Sequence, residues 1–154
     1  SEAFAAAGVR GQVVPFTEAM ADLYAQADVV LARAGATSLA EISAFALPSI
    51  LIPYPHAADD HQTANARVFS SQGAAWTLFQ KDLEPDRLVQ RIADTILQPE
   101  RRKRMASAAH ALAKPEAAAE VADRLERLAG LRSFKTPPGA MPPIGPEAVH
   151  AGVA

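Results

Sequence analysis

Apolar positions along this chain fall into two kinds of run: short unbroken stretches, and longer stretches spaced three and four apart. Val9 to Phe16 predicts a short strand that stops at Pro15. Thr17 then caps a helix to Ala27, with Met20, Leu23 and Tyr24 as its buried stripe. Asp28 to Ala32 is one polar residue followed by a continuous apolar run, the pattern of a strand covered on both faces. Gly35 opens a helix over Ala36 to Ala46 with Leu39, Ile42 and Phe45 facing inward. Leu47-Pro48 ends it, because the residue before a proline avoids helical backbone. Ser49 to Pro53 is a second fully apolar strand, and Pro53-Tyr54-Pro55-His56 leaves its carboxyl end. Asp59 to Ser71 predicts the next helix, and Gly73 precedes a strand over Ala74 to Phe79. Three helices follow: Glu84 or Pro85 to Leu97, Pro99 to Ala113 and Pro115 to Leu128. Their stripes are Leu88/Ile92/Ile96, Met105/Leu112 and Val121/Leu125/Leu128. Strands alternating with helices predict a Rossmann-like α/β fold, a parallel sheet with helices on both faces.

Beyond Gly130 the pattern stops. Residues 131–154 hold five of the twelve prolines. The reading is therefore one domain over 1–130 and a Pro-rich, disordered tail over 131–154. Seventeen acidic and fifteen basic residues give a net charge of −2, which does not favour nucleic acid held by bulk charge. The chain has no cysteine, so disulfides, thiolate metal sites and cysteine nucleophiles are excluded. Apolar stretches of about ten residues are too short to span a bilayer, and no signal-peptide pattern opens the chain. A cytoplasmic domain is the expectation.

In open parallel sheets, ligands bind at the carboxyl ends of the strands. Three loops meet that condition: Pro15-Phe16-Thr17, Ala32 to Ser38, and Pro53 to Gln62. In the second, the small residues Gly35, Ala36, Thr37 and Ser38 let a ligand approach the backbone. The helix start there offers free N–H groups to a diphosphate. Glu41, one turn on, suits the vicinal hydroxyls of a ribose; Ser38 to Glu41 equally fits a capping box that would use the carboxylate locally. In the third loop, His56 and His61 are five apart and do not share a helix face as a metal pair would. Asp59 reads as the N-cap of the following helix, with His61 and Gln62 in its first turn toward the cleft. Arg101 to Arg104 is a basic cluster, either a contact for anionic lipid or a solvated helix face. Trp76 reads as core.

Three ordered segments carry a resemblance. They are Val14-Pro15-Phe16-Thr17-Glu18-Ala19-Met20; Ala27-Asp28 leading to Arg33-Ala34-Gly35-Ala36-Thr37-Ser38-Leu39-Ala40-Glu41; and Pro53-Tyr54-Pro55-His56 with Asp60-His61-Gln62 and Asn65-Ala66. From about Val9 to Leu128 the chain resembles the C-terminal, donor-binding domain of the MurG family, in glycosyltransferase family 28 with the GT-B fold. The resemblance implies binding of UDP-N-acetylglucosamine without a cofactor or metal. Phe16 and Thr17 would line the uracil with Met20 nearby. Gly35, Ala36, Thr37 and Ser38 would meet the diphosphate, and Glu41 the ribose. His61 and Gln62 occupy the two positions where the family has a glutamine pair reading sugar hydroxyls; Gln62 matches and His61 departs.

The implied reaction is inverting transfer of N-acetylglucosamine to the C4 hydroxyl of lipid-linked N-acetylmuramoyl-pentapeptide, in peptidoglycan synthesis. It implies a peripheral enzyme on the inner face of the bacterial plasma membrane. The family's N-terminal domain, with the acceptor site and the expected general base, has no counterpart in this sequence, nor has the family's glycine-rich phosphate loop. No catalytic residue is therefore assigned in this chain, which is expected to be a fragment, or one piece of a split enzyme, inactive alone and with a sheet edge open to self-association. Two other readings stay open: a non-catalytic nucleotide-sugar-binding module, and the donor half of another UDP-sugar:lipid glycosyltransferase.

Overall fold

Three short strands form the sheet: β1 (Val30–Ala32), β2 (Ser49–Leu51) and β3 (Ala75–Thr77). The computed structural model describes residues 6, 8 and 10–130. The strands lie in the order β1-β2-β3, all parallel. The helices are α1 (Met20–Gln26), α2 (Ala36–Ala44), α3 (His61–Ser71), α4 (Pro85–Ile96), α5 (Pro99–Ala111) and α6 (Ala117–Leu128). Single 3-10 turns cover Ala58–Asp60 and Gln80–Asp82.

The register explains the apolar runs. Val30 pairs with Ser49 and Ser49 with Ala75; Leu31, Ile50 and Trp76 line up one residue later. Aligned residues share a face, so Ala32 and Leu51 look one way and Ile50 and Trp76 the other. β2 is central and entirely buried. On the Leu51 face the core joins Leu39 and Ile42 of α2, Ala66 and Phe69 of α3 and Ala109 of α5. On the other face Trp76 meets α4 and α5. Its indole N–H donates to Thr95 Oγ1 at 3.2 Å, and the guanidinium of Arg91 stacks 4.2 Å from the ring. Trp76 is thus a half-buried fastener rather than plain core.

Both crossover helices end in the same hydrogen-bonded turn. After α3, Gly73 N–H donates to the Ser70 carbonyl and Ala74 N–H to that of Phe69, with Gly73 at φ 75°. After α2, Ala46 N–H donates to Ser43 and Leu47 N–H to Ile42, with Ala46 at φ 53°. This is the Schellman arrangement, normally built on glycine. It ends α2 at Ala44, before the Ala46 expected from the sequence.

Other expectations change. Residues 10–16 form no strand, since no described strand lies beside them to pair with, and Val9 lies outside the described residues. α1 starts at Met20, not Thr17, because Thr17 Oγ1 accepts from Ala19 N–H at 3.0 Å in a local turn instead of capping a helix. Of its expected stripe only Tyr24 is buried; Met20 and Leu23 are exposed. Asp59 is not the N-cap of α3: Asp60 is, and both stand in left-handed backbone. The last three helices begin and end close to the expected residues, but their stripes are not all covered. Met105 is buried, Ile96 is exposed, and Val121, Leu125 and Leu128 lie open along α6. The expected tail, 131–154, lies outside the described residues.

Candidate functional site

All three strands are parallel, so their carboxyl ends lie along one edge, and the loops leaving them are stitched together there. Arg33, just past β1, is the hub. Its Nη1 donates to the carbonyls of Ile52 (3.2 Å) and Pro53 (3.3 Å) after β2, and to Gln80 Oε1 (2.9 Å) after β3. Its guanidinium also lies 5.6 Å from the centre of the Tyr54 ring. One side chain therefore ties the ends of all three strands.

Helix α3 adds a second set of ties. Gln62 Oε1 accepts from the backbone N–H of Ala34 (3.2 Å) and of Tyr54 (3.0 Å). Asn65 Nδ2 donates to the Ala34 carbonyl at 3.0 Å. Both partners of Gln62 Oε1 are donors, which fixes the amide's orientation and turns its NH₂ away as a pair of donors. Ala34, fully buried, has both backbone groups held by α3. The loop that starts α2 is consequently set by side chains from α3.

At that start, Gly35 is the N-cap, at φ −70° and ψ 146°, with no side-chain cap. The first intrahelical bond is from Leu39 N–H to the Gly35 carbonyl at 3.0 Å. The N–H groups of Ala36, Thr37 and Ser38 are the helix's unsatisfied donors, at the positive end of its dipole. A Cβ built on Gly35 would meet nothing within 4 Å, so the space in front is open.

Ser38 lies inside α2, not at its cap, so the capping-box reading of Ser38 to Glu41 does not hold. Instead Glu41 Oε2 accepts from the Tyr24 hydroxyl at 3.1 Å. Tyr24 is buried and its ring lies 5.6 Å from that of Phe45. Burial, then the hydrogen bond to Glu41 and its charge, push the Tyr24 hydroxyl above its ordinary 10.0. Tyr24 therefore stays a proton donor at neutral pH.

The remaining expected residues divide. Phe16 is 78% exposed and Met20 39%, and Met20 sits one helical turn before Tyr24 on the same face of α1. His61 Nδ1 lies 2.7 Å from the Ala58 carbonyl. A carbonyl only accepts, so Nδ1 carries a proton, and in the neutral ring Nε2 is the acceptor. His56 packs edge-on to Tyr54 at 5.6 Å. Among the described residues no group of three or more His, Asp or Glu is placed to hold a metal ion. A cleft of about 440 Å³ opens on the β3 side of the same edge, between Pro53, Pro55, Thr63, Arg67 and Phe79. The basic cluster is largely spent on acidic partners: Arg101 on Asp94 (3.7 Å), Arg102 on Asp28 (3.1 Å) and Lys103 on Glu100 (3.2 Å). That pairing favours the solvated-face reading over a lipid contact.

Arg33, Asn65 and Tyr24 were not among the site residues expected from the sequence. Arg33 and Asn65 lie within the segments that carry the resemblance, but nothing in their spacing tells that they hold backbone. Tyr24 follows the apolar spacing of α1, which conceals its hydroxyl.

The model of the glycosyltransferase family 28 C-terminal domain matches residues 4–125. The chain belongs to that family. Among its relatives, the UDP-N-acetylglucosamine–N-acetylmuramyl-(pentapeptide) pyrophosphoryl-undecaprenol N-acetylglucosamine transferase of Aromatoleum aromaticum is 47% identical over 133 residues. That match covers 86% of this chain and 37% of the relative. The transferase of the same name from Hahella chejuensis is 48% identical over 120 residues, covering 78% and 33%. The crystal structure of Acinetobacter baumannii MurG superposes with a TM-score of 0.72 at 33% identity, covering 82% of this chain and 38% of that chain. The architecture is accordingly that of the C-terminal half of a GT-B glycosyltransferase. The chain spans about a third of the length of the relatives it matches. No helix among the described residues is long and apolar enough to cross a membrane.

Proposed function

We propose that this family 28 domain is the donor-binding part of an inverting glycosyltransferase. The whole protein moves N-acetylglucosamine from UDP-N-acetylglucosamine to the C4 hydroxyl of a lipid-linked N-acetylmuramoyl-pentapeptide. The observation that carries this reading is the uncapped start of α2 at Gly35, open in front, with the Glu41 carboxylate one turn along. The diphosphate takes the N–H groups of Ala36, Thr37 and Ser38, for which Gly35 leaves clearance. Glu41 accepts from the ribose hydroxyls. Phe16 and Thr17 flank the uracil, with Met20 beneath. The free NH₂ of Gln62 and Nε2 of His61 read the sugar hydroxyls.

In the reaction the acceptor's C4 oxygen forms a bond to the anomeric carbon from the face opposite the diphosphate. The bond from that carbon to the phosphate oxygen breaks, and its electron pair leaves with UDP. The hydroxyl proton goes to a base outside this chain, in the two-thirds of the relatives that it does not cover. The α2 N-terminus stabilises the charge that gathers on the departing diphosphate, and the stitched loops supply positioning. With a lipid-linked acceptor, the whole protein works as a peripheral enzyme at the cytoplasmic face of the plasma membrane.

Calorimetric titration of the chain with UDP-N-acetylglucosamine, with UDP-glucose and Glu41→Ala as controls, tests the reading. Saturable binding that favours the N-acetylglucosamine donor and is lost in Glu41→Ala is expected. Equal affinity for both donors removes the sugar assignment. Binding indifferent to Glu41→Ala removes the ribose assignment.

A further inference from the structure

We infer that Tyr24 positions the Glu41 carboxylate for the ribose hydroxyls and thereby sets the site's preference for ribose over deoxyribose nucleotides. The inference rests on the proposal that Glu41 holds the ribose, and it adds to it a residue that touches no ligand.

Glu41 lies six residues into α2, on a half-buried stretch of its surface. A glutamate side chain there has three rotatable bonds, and an unrestrained carboxylate samples many positions. One oxygen, Oε2, is anchored by the Tyr24 hydroxyl at 3.1 Å. That anchor is itself fixed: Tyr24 is the only buried residue of α1, and its ring is packed on Phe45 at the far end of α2. A carboxylate accepts about four hydrogen bonds, so one given to Tyr24 leaves Oε1 and part of Oε2 for two vicinal hydroxyls. The Tyr24 hydroxyl can only donate to a carboxylate, so the arrangement is unambiguous. Its raised pKa keeps that donor intact across the neutral and mildly alkaline range.

The Tyr24 ring has a separate role. α1 docks on the rest of the domain through it, and Met20 and the Phe16-Thr17 segment lie just before it along the chain. The packing of the ring on Phe45, distinct from the hydroxyl that aims the ribose carboxylate, therefore locates the segment assigned to the uracil.

Calorimetric titration with UDP and with 2′-deoxyuridine diphosphate, on the native chain, Tyr24→Phe, Glu41→Ala and the double variant, separates the possibilities. The native chain should favour UDP by roughly tenfold or more, the usual worth of a hydrogen bond to a charged group. Glu41→Ala should abolish that preference. Tyr24→Phe, which keeps the ring on Phe45, should cut it to less than about threefold, weakening UDP more than the deoxy ligand, which keeps only the 3′-hydroxyl for the carboxylate, because the hydroxyl acts only through the carboxylate. The double variant should match Glu41→Ala. A Tyr24→Phe chain that keeps the native preference overturns the positioning role alone, as does one that loses both ligands equally, which marks a packing role. A native chain that does not distinguish the two ligands, or binds neither, overturns this inference together with the ribose assignment of Glu41. A measurement without substitution supports the same decision: the Cζ NMR signal of Tyr24 should shift with UDP and much less with the deoxy ligand. An unmoved signal counts against the inference.

Discussion

Gly35 shows how a residue can be unnecessary to the fold and still constrained by the site. Its backbone, at φ −70°, is open to any residue, and a Cβ there would meet no protein atom within 4 Å. Gly35→Val should therefore change unfolding free energy by no more than about 1 kcal/mol, since the lost N-cap preference and the reduced unfolded-chain entropy oppose each other. It should weaken UDP binding by roughly tenfold or more while sparing uridine, which has no diphosphate to exclude. Denaturant unfolding and calorimetry on one sample check both halves. Tyr24 gives a prediction in pH. Its hydroxyl titrates higher in the folded chain than the ordinary 10.0, so the folded state holds that proton more tightly. The resulting stability is complete below pH 10.0 and is lost as pH rises through the folded value. Urea unfolding from about pH 8 to pH 11 should show the advantage of the native chain over Tyr24→Phe shrinking at the alkaline end. That Gly35, Glu41 and Gln62 stand on the helix starts after β1 and β2 was legible from the sequence, because small residues, a carboxylate and an amide at strand ends are themselves the signal. What was not legible is which of them is already engaged. Gln62 was expected to read sugar hydroxyls, but its oxygen belongs to Ala34 and Tyr54, and only its NH₂ remains.

Elements were easiest to read where both faces of the chain are covered. β2 shows in the sequence as an unbroken apolar run because it is central and wholly buried. The stripes of α1 and α6 had the right spacing, but spacing tells which residues share a face and not whether anything covers it. Tyr24 alone is buried on α1, and no residue of α6 is. Helix ends were misread where a residue does an uncommon job. The turn after α3 carries Gly73, which the sequence announces; the turn after α2 makes the same bonds through Ala46 at φ 53°, which it hides. Left-handed backbone costs a residue with a Cβ roughly 1 kcal/mol relative to glycine. Ala46→Gly should accordingly raise unfolding free energy by about that amount without altering nucleotide affinity. A thermal melt lower than the native one would contradict the strain assigned to Ala46.

For the molecule as a whole, the carboxyl ends of the three strands lie along one edge and the chain covers about a third of its relatives' length. The fold class followed from alternation of strands and helices. The family resemblance was carried by three segments, two of which, Arg33 to Glu41 and Pro53 to Ala66, meet at the strand ends. What holds them there is a small web: Arg33 reaching the loops after β2 and β3, and Gln62 and Asn65 gripping Ala34. The web has a consequence in time rather than in shape. Its ties run between groups of this chain alone, so the fold itself, and no outside group, sets the loops at the strand ends. If the proposed donor site holds, capture of the nucleotide by this half is then a single encounter set by diffusion and orientation, and a slow step in turnover is expected elsewhere, in the partner half, in chemistry or in release of UDP.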